Sequence, residues 1–255
     1  NSPVNTIIAI FTAFSIGCTA LITRYTGTGD KRNTDRCIGQ TILISLVISA
    51  VLFIVFFYFR FGVLRLMGST EDTIENAEIY LKTISYSIPC LVFSTLMYGL
   101  IRGMGNTKVP MYINIIQNII HLILNVYLIY DDRSITLLNK WVIDIPGLNM
   151  GVEGAAISTL ISRIWCVAGI LGYYSLIERI KLPWKYLKPD RGMLRSIMKI
   201  GLPASGEQMI FKGGMLLFTR IVVSLGSVSL ASHAVAETAE MISFMPGTAF
   251  QIAAI

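Results

Sequence analysis

Ile42-Leu-Ile-Ser-Leu-Val-Ile-Ser-Ala-Val-Leu-Phe-Ile-Val-Phe-Phe-Tyr-Phe59 contains no charged residue and no Gly or Pro. Together with the preceding Ile38-Gly39-Gln40-Thr41 it makes an apolar span over 38–59. That is long enough to cross a hydrocarbon core about 30 Å thick. Six further spans of this kind lie at 4–23, 79–101, 110–130, 151–177, 200–225 and 228–255. All of them read as helices, because a lone strand in lipid leaves its amides and carbonyls unsatisfied. A chain of 255 residues with 54% hydrophobic and only 14% charged residues, and a mean hydropathy of +0.65, excludes a soluble domain. The fold class is therefore an all-α membrane protein, a polytopic helical bundle.

Outward from each span the connections alternate in charge. The loops at 24–37, 102–109 and 178–199 hold Arg24, Lys31, Arg32, Arg36, Arg102, Lys108, Arg179, Lys181, Lys185, Lys188, Arg191, Arg195 and Lys199. The loops at 60–78 and 131–150 hold Arg60, Arg65, Arg133 and Lys140 beside Glu71, Asp72, Glu75, Glu78, Asp131, Asp132 and Asp144. The positive-inside rule places the first set in the cytoplasm. The net charge of +6 is then a property of membrane edges facing anionic head groups, which excludes a nucleic-acid partner. Cys18, Cys37, Cys90 and Cys166 lack C-x-x-C spacing and read as small reduced hydrophobes.

Pro89, Pro203 and Pro246 fall inside the third, sixth and seventh spans. Gly226-Ser227 makes a tight turn, so the last two spans form an antiparallel hairpin. The 178–199 connection is the longest and most basic of the cytoplasmic set, and it reads as the boundary between two halves. Within it, Met193, Leu194, Ile197 and Met198 share a face, which predicts a short in-plane interfacial helix over 192–200. Thr12-Ala-Phe-Ser-Ile-Gly17 resembles Thr248-Ala-Phe-Gln-Ile-Ala253, a hint of an internal repeat around that linker. Apolar spans that begin near residue 1 and continue to Ile255 predict a piece of a longer protein.

Polar groups inside a span are expensive and are functional candidates by default. Asn114, Asn118, His121 and Asn125 are spaced i, i+4, i+7 and i+11, so they share one face of the fourth span, with Gln117 beside them. That face lines a wet cavity or bonds to a neighbouring helix. His233, Glu237 and Glu240 share a face of the last span. This is a candidate H⁺ or Na⁺ site at Glu240, while His233 and Glu237 are either part of it or hydrated near the interface. Glu207 and Gln208 follow Pro203 by about a turn, and Glu207 faces either the basic linker or a central cavity. Lys212 is expected to pair with Glu240 across the hairpin. Lys82 is placed to snorkel, and Arg163 to bond a neighbouring helix. No P-loop, H-E-x-x-H, G-x-S-x-G or nucleophile–base pair is present, so the protein is not expected to be an enzyme and needs no cofactor or metal.

Several motifs in order resemble one family. Arg102-Gly-Met-Gly-Asn-Thr-Lys-Val-Pro-Met111 is similar to the loop between the fourth and fifth helices of the multidrug and toxic compound extrusion (MATE) family. Gly151-Val-Glu-Gly-Ala-Ala-Ile-Ser-Thr159 resembles the start of its sixth helix. Gly201-Leu-Pro203, Glu207-Gln208 and Phe218-Thr-Arg-Ile-Val222 resemble the seventh, and Ala231-Ser-His233 through Glu240 with Ser243-Phe-Met-Pro-Gly247 the eighth. The resemblance implies helices 2–8 of a twelve-helix, two-lobe (6+6) transporter. Residues 1–177 would be the N-terminal lobe without its first helix, 178–199 the cytoplasmic linker, and 200–255 the start of the C-terminal lobe. It implies an antiporter of the inner (plasma) membrane, monomeric at full length, that exchanges H⁺ or Na⁺ for small organic cations across the lipid bilayer. Glu240 would be the first coupling-cation candidate, followed by Glu207 and Glu237, with Asn114, Asn118, His121, Asn125 and His233 as lining. The family pattern of an Asn four residues before an Asp falls on His121 and Asn125, so that carboxylate is missing here.

Two other classes compete with this reading. A flippase for lipid-linked sugars or peptidoglycan precursor shares the wider fold, and it would use a cationic cavity such as Lys212, Arg163 and Arg220 could supply. A seven-span receptor or channel-like module fits the count of spans but not the basic mid-chain linker.

Overall fold

The computed structural model describes residues 14–58, 62, 71–137, 141–177 and 186–253. The first part of the first span, the leading residues of the N-terminal repeat copy, most of the 60–70 connection and the first half of the basic linker lie outside the described residues. Among the described residues seven α-helices follow one another: α1 Phe14–Gly27, α2 Lys31–Tyr58, α3 Glu71–Gly103, α4 Lys108–Ile129, α5 Gly151–Gly172, α6 Arg191–Ser224 and α7 Ser227–Ala253. A π-helical turn, Tyr173–Ile177, extends α5. Of these, α2, Glu78–Gly103 of α3, α4 and α5 with its extension are long and apolar enough to cross a membrane. The sixth and seventh spans are long helices too, but they fall outside that group of four; Glu207, Lys212, Arg220, Glu237 and Glu240 dilute them.

Local chemistry sets the helix ends. The α1–α2 turn passes through Gly29 at φ +71, and Asp30 then accepts from the Asn33 amide at 3.1 Å and side chain at 2.7 Å. Those bonds, the backbone one first, hold the Asp30 carboxyl below its ordinary range. The α3–α4 turn uses Gly105 at φ +87 and Asn106, whose Oδ1 accepts from Val109 N at 3.2 Å. Asn106 also donates to the Tyr173 hydroxyl at 3.0 Å, pinning this turn to the far end of α5. The α6–α7 hairpin turns at Gly226, φ +103, as expected.

The 131–150 connection contains an antiparallel hairpin, β1 Arg133–Leu137 paired with β2 Trp141–Ile145, with Ile135 opposite Ile143. Short β-branched runs there carried a strand signal that a count of apolar spans passes over. The basic connections converge on the opposite end of the bundle, where Arg36 meets Asp190 and Asn106 meets Tyr173.

The core is apolar and shared by α1, α2, α3, α5 and α6, around Ile22, Ile38, Leu52, Ile88, Leu100 and Ile170. α4 adds only Ile113, with Val109 packed against it, and otherwise packs on α5 and presents Ile115, Ile119, Leu122 and Ile123 outward as a lipid-suited face.

The expected in-plane helix at 192–200 does not exist as a separate element. Arg191–Ser224 is one helix running through Pro203. Met193 and Ile197 are buried against the bundle and only Met198 of that face is exposed. An amphipathic face is equally well satisfied by a helix neighbour, and here α1 approaches closely enough to take it. Gly17 makes that approach possible: a Cβ there would sit 2.7 Å from the Ile197 carbonyl and 3.0 Å from Gly201 N. The segment before α6 is clamped to α2. Gln40 Nε2 donates to the Tyr186 and Lys188 carbonyls at 2.7 and 2.9 Å, and its Oε1 accepts from Asp190 N at 3.0 Å. Asp190 caps α6, accepting from Gly192 N and Met193 N, and pairs with Arg36. The amide bonds first and the guanidinium next hold its carboxyl below the ordinary aspartate range.

Replacing Gly17 by Ala forces α1 and α6 apart, an overpacking cost of about 1–3 kcal/mol. A lowered melting temperature of the detergent-purified protein is the expected result, and an unchanged one would show that the contact is not tight. Asp190 titrates lower folded than unfolded, so its stabilisation is complete above the ordinary range near about 4 and is lost as pH falls through its folded value. Asp190→Asn should therefore lower the melting temperature at pH 7 and cease to differ from wild type in strong acid.

Candidate functional site

The polar face of α4 exists because four amide and imidazole side chains recur on one side of an otherwise aliphatic helix. Its members separate in the structure. Asn114 Nδ2 donates to the Pro110 carbonyl of its own helix at 2.8 Å. Asn118 is exposed. His121 and Asn125 meet α5: His121 Nε2 lies 3.3 Å from Thr159 Oγ1 and 3.4 Å from Asn125 Nδ2, and Ser158 Oγ donates to Asn125 Oδ1. Gln117 Oε1 accepts from the Cys166 thiol at 3.1 Å. The α4–α5 seam is thus cross-linked along its length.

One turn beyond Thr159, Arg163 crosses to α3 and donates from Nη1 to Ser87 Oγ at 2.6 Å. This is the bond to a neighbouring helix that the sequence predicted for Arg163. Tyr98 of α3 is buried with its hydroxyl beside the Cys166 thiol. Sequence reading missed Ser87, Ser158, Thr159 and Cys166 as partners. A signal was present in α5, where Ser158, Ser162 and Cys166 recur every four residues and are all buried, the small-residue stripe along which membrane helices approach.

The second predicted group is elsewhere. Glu207 on α6, and Glu237 and Glu240 on α7, are exposed and form no hydrogen bond or ion pair with another described residue. α7 packs against α6. His233 is half-buried, its ring edge-on to Phe218 with centroids 5.3 Å apart. Lys212 does not pair with Glu240. Its ammonium lies over the Phe211 ring, 5.8 Å from the centroid, because an adjacent aromatic is within reach without crossing the hairpin. The acids of α6–α7 and the amides of α4 are therefore two separate polar regions, one facing outward on a helix pair and one inside a helix seam.

Four helices long and apolar enough to cross a membrane, cross-linked by half-buried amides, define a membrane-protein helical bundle. The family model described as MatE matches residues 1–127. The chain is 24% identical over 246 residues to the "Probable multidrug resistance protein NorM" of Thermotoga maritima, covering 96% of this chain and 50% of that protein. It is 26% identical over 259 residues to the "Uncharacterized transporter YisQ" of Bacillus subtilis, covering 98% and 52%. The solved structure of MATE in the straight conformation superposes with a TM-score of 0.79 at 23% identity, over 94% of this chain and 51% of that one. An inward-facing conformation of a multidrug resistance MATE family transporter gives 0.76 at 23%, over 94% and 52%. Residues 1–127 thus match the MATE family model, and the fold over most of the chain is that of solved MATE transporters. The chain spans about half the length of the curated relatives it matches.

The α4–α5 bonds predict a measurable coupling. In a double-mutant cycle, Asn125→Ala and Ser158→Ala should show a favourable interaction of about 0.6–2 kcal/mol in detergent unfolding. Strictly additive effects would show that the pair does not hold the helices.

Proposed function

We propose that this chain is most of one lobe and the first hairpin of the next in a monomeric antiporter of the plasma membrane. It exports cationic amphipathic molecules by alternating access, in exchange for H⁺ or Na⁺. In this reading residues 1–177 belong to the N-terminal lobe, 178–199 to the cytoplasmic linker and 200–255 to the C-terminal lobe, with the three basic loops in the cytoplasm. Relatives named as multidrug resistance and multidrug export proteins support the export of varied small molecules.

The observation that carries the coupling is the placement of the acids. Glu207, Glu237 and Glu240 stand exposed on a helix pair and are not committed to a described cation. A carboxylate already paired in a salt bridge is a poor carrier of a transported ion, whereas an uncommitted one is available to bind and release it. Glu240 lies deepest along α7, about four turns from Ser227, and is the first candidate. Glu207 is the second and Glu237 the third. Asn118, exposed on α4, and the half-buried Asn114, His121, Asn125 and His233 are the proposed lining.

Expressed at full length in an efflux-deficient host, the protein should lower ethidium accumulation, and Glu240→Gln should return accumulation to the level of the host alone. Wild-type efflux by that variant would remove Glu240 from the mechanism.

A further inference from the structure

Arg163 is a permanent cation about 18 Å along α5 from Gly151, near the middle of a hydrocarbon core about 30 Å thick. A charge at that depth is retained only when paired or hydrated. Its one hydrogen bond among the described residues goes to Ser87, a neutral hydroxyl that is itself fully buried. A hydroxyl satisfies one donor of the guanidinium fork and cancels none of its charge. Among the described residues, the titratable groups in electrostatic reach of Arg163 are Tyr80, Cys90, Cys166 and His121, none of them a carboxylic acid. Arg163 is half-buried rather than sealed.

We infer that Arg163, held by Ser87, is a docking point for an oxyanion carried by the transported molecule, a carboxylate or phosphate on an amphipathic body. The lobe then selects zwitterions over pure cations of the same shape. This rests on the export reading above and deepens it: the outward acids take the cationic part of the exchange, and Arg163 takes the anionic group of the cargo. The guanidinium supplies what a lysine cannot, a planar fork that keeps one N–H on Ser87 while the others meet two oxygens. A head group of an anionic lipid offers the same chemistry, but it lies at the membrane surface, well away from mid-span.

The test uses the full-length protein in phosphatidylcholine nanodiscs and two dyes, a rhodamine methyl ester and its free carboxylic acid, with binding read by fluorescence polarisation. Arg163→Gln should weaken the free acid by about tenfold or more and leave the ester within about twofold. Arg163→Lys should weaken the free acid by a smaller factor, which keeps the test valid if the Gln variant elutes as aggregate. An acid-to-ester affinity ratio that is the same in wild type and in whichever variants elute intact would overturn the inference and leave Arg163 as a link between helices. Loss of free-acid binding when phosphatidylglycerol is added to the discs would assign the oxyanion to lipid and overturn it too. Export of the two dyes from efflux-deficient cells separates the readings. Arg163-dependent binding without export of either dye would defeat the export reading and leave the docking point standing.

Discussion

Water is missing from the hydrocarbon core, and every polar group that enters it must bring a partner. Most side chains here solve this locally. Thr19, Thr41, Ser85 and Thr95 return their hydroxyls to carbonyls one turn back, at 2.8, 2.9, 2.6 and 2.8 Å. Such bonds satisfy the group without choosing a neighbour. Longer amides and the guanidinium can do otherwise, and Gln117, Asn125 and Arg163 reach to Cys166, Ser158 and Ser87. Apolar side chains discriminate weakly between helices, because lipid tails are as apolar as leucine. The pairings α4 with α5 and α5 with α3 are therefore specified largely by these few long polar side chains.

At the end of the bundle that carries the basic connections water returns and the logic changes. Gln40 spends its whole amide on the segment entering α6, and Arg36 meets the Asp190 that caps it. Below that clamp the contact becomes steric: Gly17 and Gly201 bring backbone to backbone, and Phe14 covers Gly201. The first turns of α6 are thereby packed into the bundle of helices that precede them in sequence. Past this contact come Pro203, which lacks an amide to donate, and then Gly206, Gly213 and Gly214, around which a Cβ would meet nothing. A helix fixed at one end and weakened by Pro and Gly beyond it bends at the weak stretch. The least supported stretch of α6 thus lies past Gly201, some residues later than the basic connection.

The apolar lengths, the loop charges, the internal prolines and the turn at Gly226 were legible because each is a local property of composition. The polar face of α4 was legible for the same reason, since spacing alone says which residues share a side. Spacing does not say which helix that side meets, so Ser158 and Thr159 stayed hidden although Asn125 and His121 did not. The helix at 192–200 differs from its sequence reading because Met193 and Ile197 make the same pattern whether they face head groups or α1. Gln40 gave no signal, being one amide at the edge of an apolar run. The supposed Lys212–Glu240 pair failed for a geometric reason: adjacency in topology fixes neither the rotation of two helices nor the competition from Phe211 next door.

The separation of charge in this molecule follows from the same desolvation cost that shapes its seams. A guanidinium and a carboxylate brought together in lipid would neutralise each other and be hard to part, since breaking a buried pair leaves two uncompensated ions. Arg163 sits between α3 and α5, while Glu207, Glu237 and Glu240 stand on α6 and α7. Kept apart, each remains able to take and release a mobile partner. Kept apart, each is also costly while empty, so neither is stable in lipid without a bound counter-charge or water. For a transporter that cost is useful. It lowers the barrier for the next ion or molecule to bind, and it ties occupancy of the site to the stability of the lobe that contains it.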